Sequence, residues 1–127
     1  MLLNNNRKRD FDKQRSKMTT IKTVKIPIYF GTLKIVISDD MGKFAASKGL
    51  DSHVDYEAIT FEHRGEIYIM FSPKCSLHAI AHDSKHVVNY VFKRAGLQLD
   101  LDNDEAECYL LGWVFNECYK FLTKTTI

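Results

Sequence analysis

From Ile21 the chain alternates apolar and polar positions. Val24, Ile26, Ile28 and Phe30 fall on one face, and Leu33, Ile35 and Ile37 follow after Gly31-Thr32. Two runs of period two around a glycine-containing turn predict a β-hairpin, with Pro27 favouring an edge position for the first strand. Ser38-Asp39-Asp40 then offers helix caps, and Met41, Phe44 and Ala45 recur at helical spacing up to Lys48, where Gly49 ends the run. Residues 51–55 are polar and read as a loop. Glu57 to Glu62 and Glu66 to Phe71 predict a second hairpin, turning at His63-Arg64-Gly65 and closed by Pro73.

The pattern then lengthens to the period of a helix. Ser76 is a suitable N-cap and Gly96 a suitable C′ residue for a helix over Ser76 to Ala95. With His82 placed at 0°, Ile80, Val87, Val88, Val91 and Ala95 fall between about 140° and 240°, while His86, Asn89 and Lys93 lie within about 40° of His82. The apolar back suits a sheet, and the polar front is either a solvated face or the floor of a cleft. Leu97 to Leu101 reads as a short loop. Asp102 or Asn103 is suited to cap a last helix, which opens on acidic residues, as its dipole favours, and runs to about Leu122.

Length and composition bound the class. The chain of 127 residues is 45% hydrophobic and 12% aromatic, which fits one globular domain with one core. The net charge of +2 is uneven: residues 1–17 hold six cations against two anions, so the rest is slightly acidic. A basic balance confined to a short tail does not point to a nucleic-acid-binding fold. Residues 1–20 are polar and aperiodic, and are expected to be a disordered basic extension, with Met18 able to serve as a start; residues 21–127 are expected to form the single domain. No apolar run approaches a membrane span, and the first residues lack the core of a secretory signal. Cys75, Cys108 and Cys118 are an odd set without paired spacing, which suits reduced thiols and a cytoplasmic protein.

The chemistry concentrates in Ile80 to Asn89. His82 and His86 are four residues apart, one turn along one helix face, so both imidazoles can reach one ion. This is the spacing of the H-E-x-x-H zinc motif, with Asp83 where that motif has its general-base Glu. Asp is one methylene shorter, and a misplacement of about 1 Å can cost about 100-fold in rate. A third ligand is suggested by Glu105, 19 residues after His86. Glu105 shares a helical stripe with Tyr109, Gly112 and Asn116, and Gly112 would permit close helix packing that brings Glu105 towards both His. The plainer alternative is a solvated His face beside an ordinary acidic helix start.

These residues resemble the gluzincins, metallopeptidases with two His on one helix and a ligand Glu opening an Asp-Glu-x-x-Ala helix. Asp104-Glu105-Ala106-Glu107-Cys108-Tyr109-Leu110-Leu111 follows that form, with Cys108 in the small-residue slot. The chain is similar to small phage-encoded proteins carrying Ile-Ala-His-Glu-x-x-His-x-Val-Asn and, later, Asn-Asp-Glu-x-x-x-Tyr-Leu-x-Gly-Trp, over roughly residues 21–124. The resemblance implies a minimal zincin-like α+β fold: a mostly antiparallel sheet packed against an active-site helix and a C-terminal ligand helix. It implies one Zn2+ per chain on His82, His86 and Glu105, with an open fourth position. Two His and a carboxylate also suit iron, cobalt or manganese. Asp83 would be the base and Tyr109 would stabilise the oxyanion, with Asn89, Asp104 and Glu107 holding the His rings. The strand Ile67 to Phe71 is the expected edge for an extended peptide.

Two functions follow from the sequence. One is a zinc-dependent, phage-type peptidase acting on peptide or protein in the host cytoplasm, without membrane or nucleic-acid partners. The other, favoured by Asp83, is a weak or inactive accessory protein that keeps the fold, with or without the metal, and binds a partner. The oligomeric state is not legible: Trp113, Phe115 and Tyr119 suit a core or an interface.

Overall fold

The computed structural model describes residues 18–51 and 57–126, with nothing stated for the side chains of 125 and 126. Of the expected basic extension, residues 1–20, positions 1–17 lie outside the described residues, as do 52–56, on which most of the expected 51–55 loop falls. Strand β1 (Thr19–Lys25) begins two residues before the expected boundary at Ile21. It is followed by β2 (Thr32–Ser38), α1 (Met41–Ser47), β3 (Ala58–His63), β4 (Glu66–Phe71), α2 (Leu77–Ala95) and α3 (Glu105–Thr126). The four strands form one sheet in the order β1-β2-β4-β3. The β1–β2 and β3–β4 pairs are antiparallel and β2–β4 is parallel, so the chain is an α+β protein with a mostly antiparallel sheet.

That order corrects the expectation about the edge. Ile67 to Phe71 lies in β4, which is hydrogen-bonded to β2 on one side and to β3 on the other. A strand paired on both sides has no backbone groups left for a peptide. Among the described residues, the strands with one neighbour only are β1 and β3. The reason is the parallel pairing of β2 with β4, which the hydrophobic alternation of a hairpin does not reveal.

The alternation of the inner strands sends side chains into two layers. Leu33, Ile35 and Ile37 of β2, with Ile67, Ile69 and Phe71 of β4, pack beneath α2 and α3 against Ile80, Val87, Val88, Val91, Leu110 and Val114. Val36, Tyr68 and Met70 point to the opposite face, where α1 covers them with Met41 and Ala45. Both faces are thus buried, which explains why β2 and β4 read as almost continuous apolar runs. In β3, Thr60 and Glu62 lie on the α2 side, reaching Asp83 and Arg94, while Phe61 joins the α1 layer.

Local signals set the ends of the elements. Asp40 caps α1 by accepting from the Lys43 amide at 3.0 Å, and Ser76 caps α2 by accepting from Ala79 at 3.1 Å. The β3–β4 hairpin turns through Arg64-Gly65, both at positive φ, as a two-residue turn of primed type requires. The cap of α3 falls at Asp104, one residue after Asn103 and two after Asp102, the expected positions: the Asp104 carbonyl accepts from Cys108 at 2.9 Å. Asn103 instead belongs to a turn, its amide donating to the Asp100 carbonyl.

The first hairpin differs most from the sequence pattern. Val24 and Ile26 pack against the core as expected, but the strand stops at Lys25 and Ile28 and Phe30 lie in a loop, 95% and 91% exposed. Pro27 withholds an amide from the ladder there. Gly31, at φ 98°, passes so close to Arg94 that an added Cβ would sit 2.7 Å from the guanidinium. Among the described residues, no helix is long and apolar enough to cross a membrane.

Candidate functional site

Two elements build a cleft of about 350 Å3: the edge strand β3, through Ala58 to Thr60 with Glu57 just before it, and the first half of α2, through His78, His82, Asp83 and His86. Glu57 fixes the start of the helix to the strand. Its carboxylate accepts from the Ser76 amide at 2.9 Å and lies 3.2 Å from the Ser76 hydroxyl. Further along, the Thr60 hydroxyl lies 3.0 Å from Asp83 Oδ1 and 3.1 Å from the Asp83 carbonyl oxygen, positioned to donate to both. Two side-chain ties therefore hold α2 against β3, one at each end of the cleft.

His82 and His86 stand on the outer wall, both exposed, with their Nε2 atoms 3.2 Å apart and their rings edge to face. In a tetrahedral zinc site with Zn–N bonds of about 2.0–2.1 Å, two ligand nitrogens are separated by about 3.3 Å. The pair thus fits two corners of such a site, and without an ion the same separation is a hydrogen bond between the two rings. His78 lines the same cleft one turn earlier, its ring 6.1 Å from that of His82. His86 lies eight residues further on, about 12 Å along the helix, and the three imidazoles do not form a metal-holding group.

Asp83 differs from the two His. It is 7% exposed, on the inner wall, with its Oδ1 held by Thr60. Every buried side-chain polar atom among the described residues has a hydrogen-bond partner, and Asp83 fits that rule through the strand. The carboxylate ties the helix to the sheet.

The remaining expected residues are distributed elsewhere. Glu105, Tyr109, Gly112 and Asn116 are all exposed, on the stripe of α3 opposite Leu110, Val114 and Cys118, which are buried. Gly112 makes no helix contact: a Cβ added there would meet nothing within 4 Å. The close approach that was to carry Glu105 towards the His pair is therefore not how the helices pack. Among the described residues, no group of three His, Cys, Asp or Glu side chains is close enough to hold an ion. Tyr109 lines a separate hollow with Pro27, Ile28 and Trp113. Asn89 and Glu107 do share a contact, but through Lys85, which is ion-paired to Glu107 and donates to Asn89 Oδ1 at 2.8 Å. Asp104 lies outside the cleft, immediately before α3.

The cysteines offer no competing nucleophile. Burial, with the Glu57 carboxylate adding to it, pushes the Cys75 thiol up to about 11. Cys118 is raised by burial above all, and Cys108 by desolvation and by Asp104, Glu105 and Glu107 around it. All three favour the unreactive thiol at neutral pH.

Sequence reasoning missed Glu57, Thr60 and His78. His78 was visible in the spacing, four residues before His82. Glu57 and Thr60 become part of the cleft only because β3 is the edge strand beside α2, which no local pattern encodes. No protein family, curated protein or solved structure matches the chain.

Proposed function

We propose that this chain is a zincin-like protein that binds an extended segment of peptide or protein in the cleft between β3 and α2, with His82 and His86 as a divalent-ion site and with little or no hydrolysis. The observation that carries this reading is the pairing of a free strand edge with the two exposed imidazoles, while Asp83 is turned inward to Thr60. An edge strand offers unpaired backbone groups to an added strand, and the cleft supplies polar contacts beside it. The reduced thiols fit a cytoplasmic, phage-type accessory role.

The second reading, a zinc-dependent peptidase, is favoured by the 3.2 Å Nε2 separation. A bound ion at such a site would polarise a peptide carbonyl and acidify water. For this chain's own residues, hydrolysis would require Asp83 to leave Thr60 and face the cleft, and Glu105 to join the pair from the opposite stripe of α3.

The deciding experiment measures zinc per chain by elemental analysis, without a His tag, in the wild type, His86→Ala and Glu105→Ala, and then peptide turnover of the wild type beside Asp83→Glu. The binding reading expects zinc lost in His86→Ala and retained in Glu105→Ala, with no turnover in either catalytic form. Zinc lost in both variants, together with turnover by the wild type, would establish the peptidase. Absence of zinc from every form after it has been supplied would remove the metal site from both readings.

A further inference from the structure

The far end of α2, away from the His cleft, carries an apolar surface that the binding reading does not use. The β1–β2 loop stands there with Ile28 and Phe30 almost fully in solvent. On one side a hollow of about 340 Å3 separates the loop from Val91, Arg94 and Ala95 of α2. On the other, a hollow of about 290 Å3 lies between the loop and Ala106, Tyr109, Leu110 and Trp113 of α3. The α2–α3 connection, which joins Ala95 at the first hollow to the segment before Ala106 at the second, exposes Leu97, Leu99 and Leu101, the last by 96%. Ile28 adopts a φ of 69°, a left-handed conformation that is costly for a β-branched residue. The strain holds an apolar side chain out in water.

We propose that this end is an interface with a second copy of the chain. The same face carries protruding side chains, Ile28 and Phe30, and the apolar hollows that could receive them. That self-complementarity is what an isologous two-fold contact demands. The amount of surface agrees: Ile28, Phe30, Leu97, Leu99, Leu101 and Tyr109, each between 44% and 96% exposed, together carry on the order of 800–1,000 Å2 of residue surface, comparable with the about 800 Å2 that each partner contributes to a stable interface.

Charge distinguishes a second copy from a membrane. The last turn of α2 supplies Lys93, beside Arg94, which is already held by Glu62 and the Gly65 carbonyl within its own chain, and the connection and start of α3 supply Asp100, Asp102, Asp104 and Glu105. A two-fold axis can set the cations of one copy against the carboxylates of the other. An anionic lipid surface would meet those carboxylates and be repelled.

The test is sedimentation equilibrium of the full chain from about 1 to about 200 µM, which resolves a dissociation constant at the micromolar end of what interfaces of this size show, while a tighter dimer holds twice the monomer mass throughout. The expected mass rises from that of a 14.7 kDa monomer towards twice that value. Phe30→Asp and, independently, Leu101→Asp should each weaken association at least about tenfold, with unchanged circular dichroism, since both side chains are more than 90% exposed in the protomer. Two loops are used so that a folding defect in one variant leaves the other decisive. A monomer across the range overturns the proposal, as does a dimer that neither substitution weakens. A monomer that sediments with phosphatidylserine vesicles and loses that binding in Phe30→Asp also overturns it, in favour of a lipid-facing end.

Discussion

In α2 the polar stripe through His82 and His86 borders a cleft, while in α3 the stripe through Glu105, Gly112 and Asn116 faces open solvent, and Tyr109 on the same stripe meets only the hollow beside the β1–β2 loop. Both helices are amphipathic and both bury a valine-containing face on the same sheet layer. What separates them is their place on the sheet. Helix α2 lies beside the edge strand β3, so residues flanking its buried face still meet Thr60 and Glu57. Helix α3 packs beside α2, and its contacts there are made by Leu110, Val114 and the Glu107–Lys85 pair. A polar stripe becomes part of a site when a second element stands beside it.

The buried faces should respond alike. Val88→Asp in α2 and Val114→Asp in α3 both place a carboxylate in the core without a partner, at a cost of several kcal/mol, on the order of the 3–5 kcal/mol seen for an uncompensated buried charge. Urea denaturation should show each variant largely unfolded or strongly shifted. If either kept near wild-type stability, that helix would not be packed on the sheet as described.

The ties to β3 come next in size and touch α2 alone. Thr60→Val keeps the shape of the strand residue but removes the hydroxyl held against Asp83, leaving a buried carboxylate oxygen without its donor. A loss of about 1–3 kcal/mol is expected. Asp83→Ala in the same background removes the orphaned group, so the double variant should lose less than the sum of the two single ones. Additive losses in that cycle would show that the pair is not coupled and would release Asp83 from its structural role.

Much of this organisation was legible in the chain. The periodicity of Ile80 to Val91 identified the buried face of α2, Ser76 and Gly96 marked its ends, and His63-Arg64-Gly65 marked the second hairpin. The proximity of His82 and His86 follows from helix geometry alone. What could not be read was the lateral order of the strands. Because β4 lies inside the sheet and β3 at its edge, Thr60 and Glu57 line the cleft, and Ile67 to Phe71 does not offer an edge. Ile28 and Phe30 continue an alternation that looks like strand, but Pro27 and the positive φ of Ile28 and Gly31 turn them outward. Glu105 stands on the exposed stripe for a related reason. A glycine on a stripe permits close packing but does not attract it, whereas Leu110, Val114 and Cys118 gain by burial and so set the rotation of the helix.

Gly112 gives the smallest effect and the sharpest division between the two stripes. If the stripe of α3 met another helix, an added methyl would clash and Gly112→Ala would destabilise the protein. In open solvent, with nothing within 4 Å of the new Cβ, the substitution only restricts the unfolded chain and improves helix propensity. A gain of about 0.5–1 kcal/mol is expected, read as a higher urea midpoint at unchanged slope. Zinc binding measured on the same variant separates the causes. A destabilised Gly112→Ala that also lost zinc would bring the Glu105 stripe back to the His pair, whereas a stabilised variant with zinc retained leaves the ion to the histidines of α2.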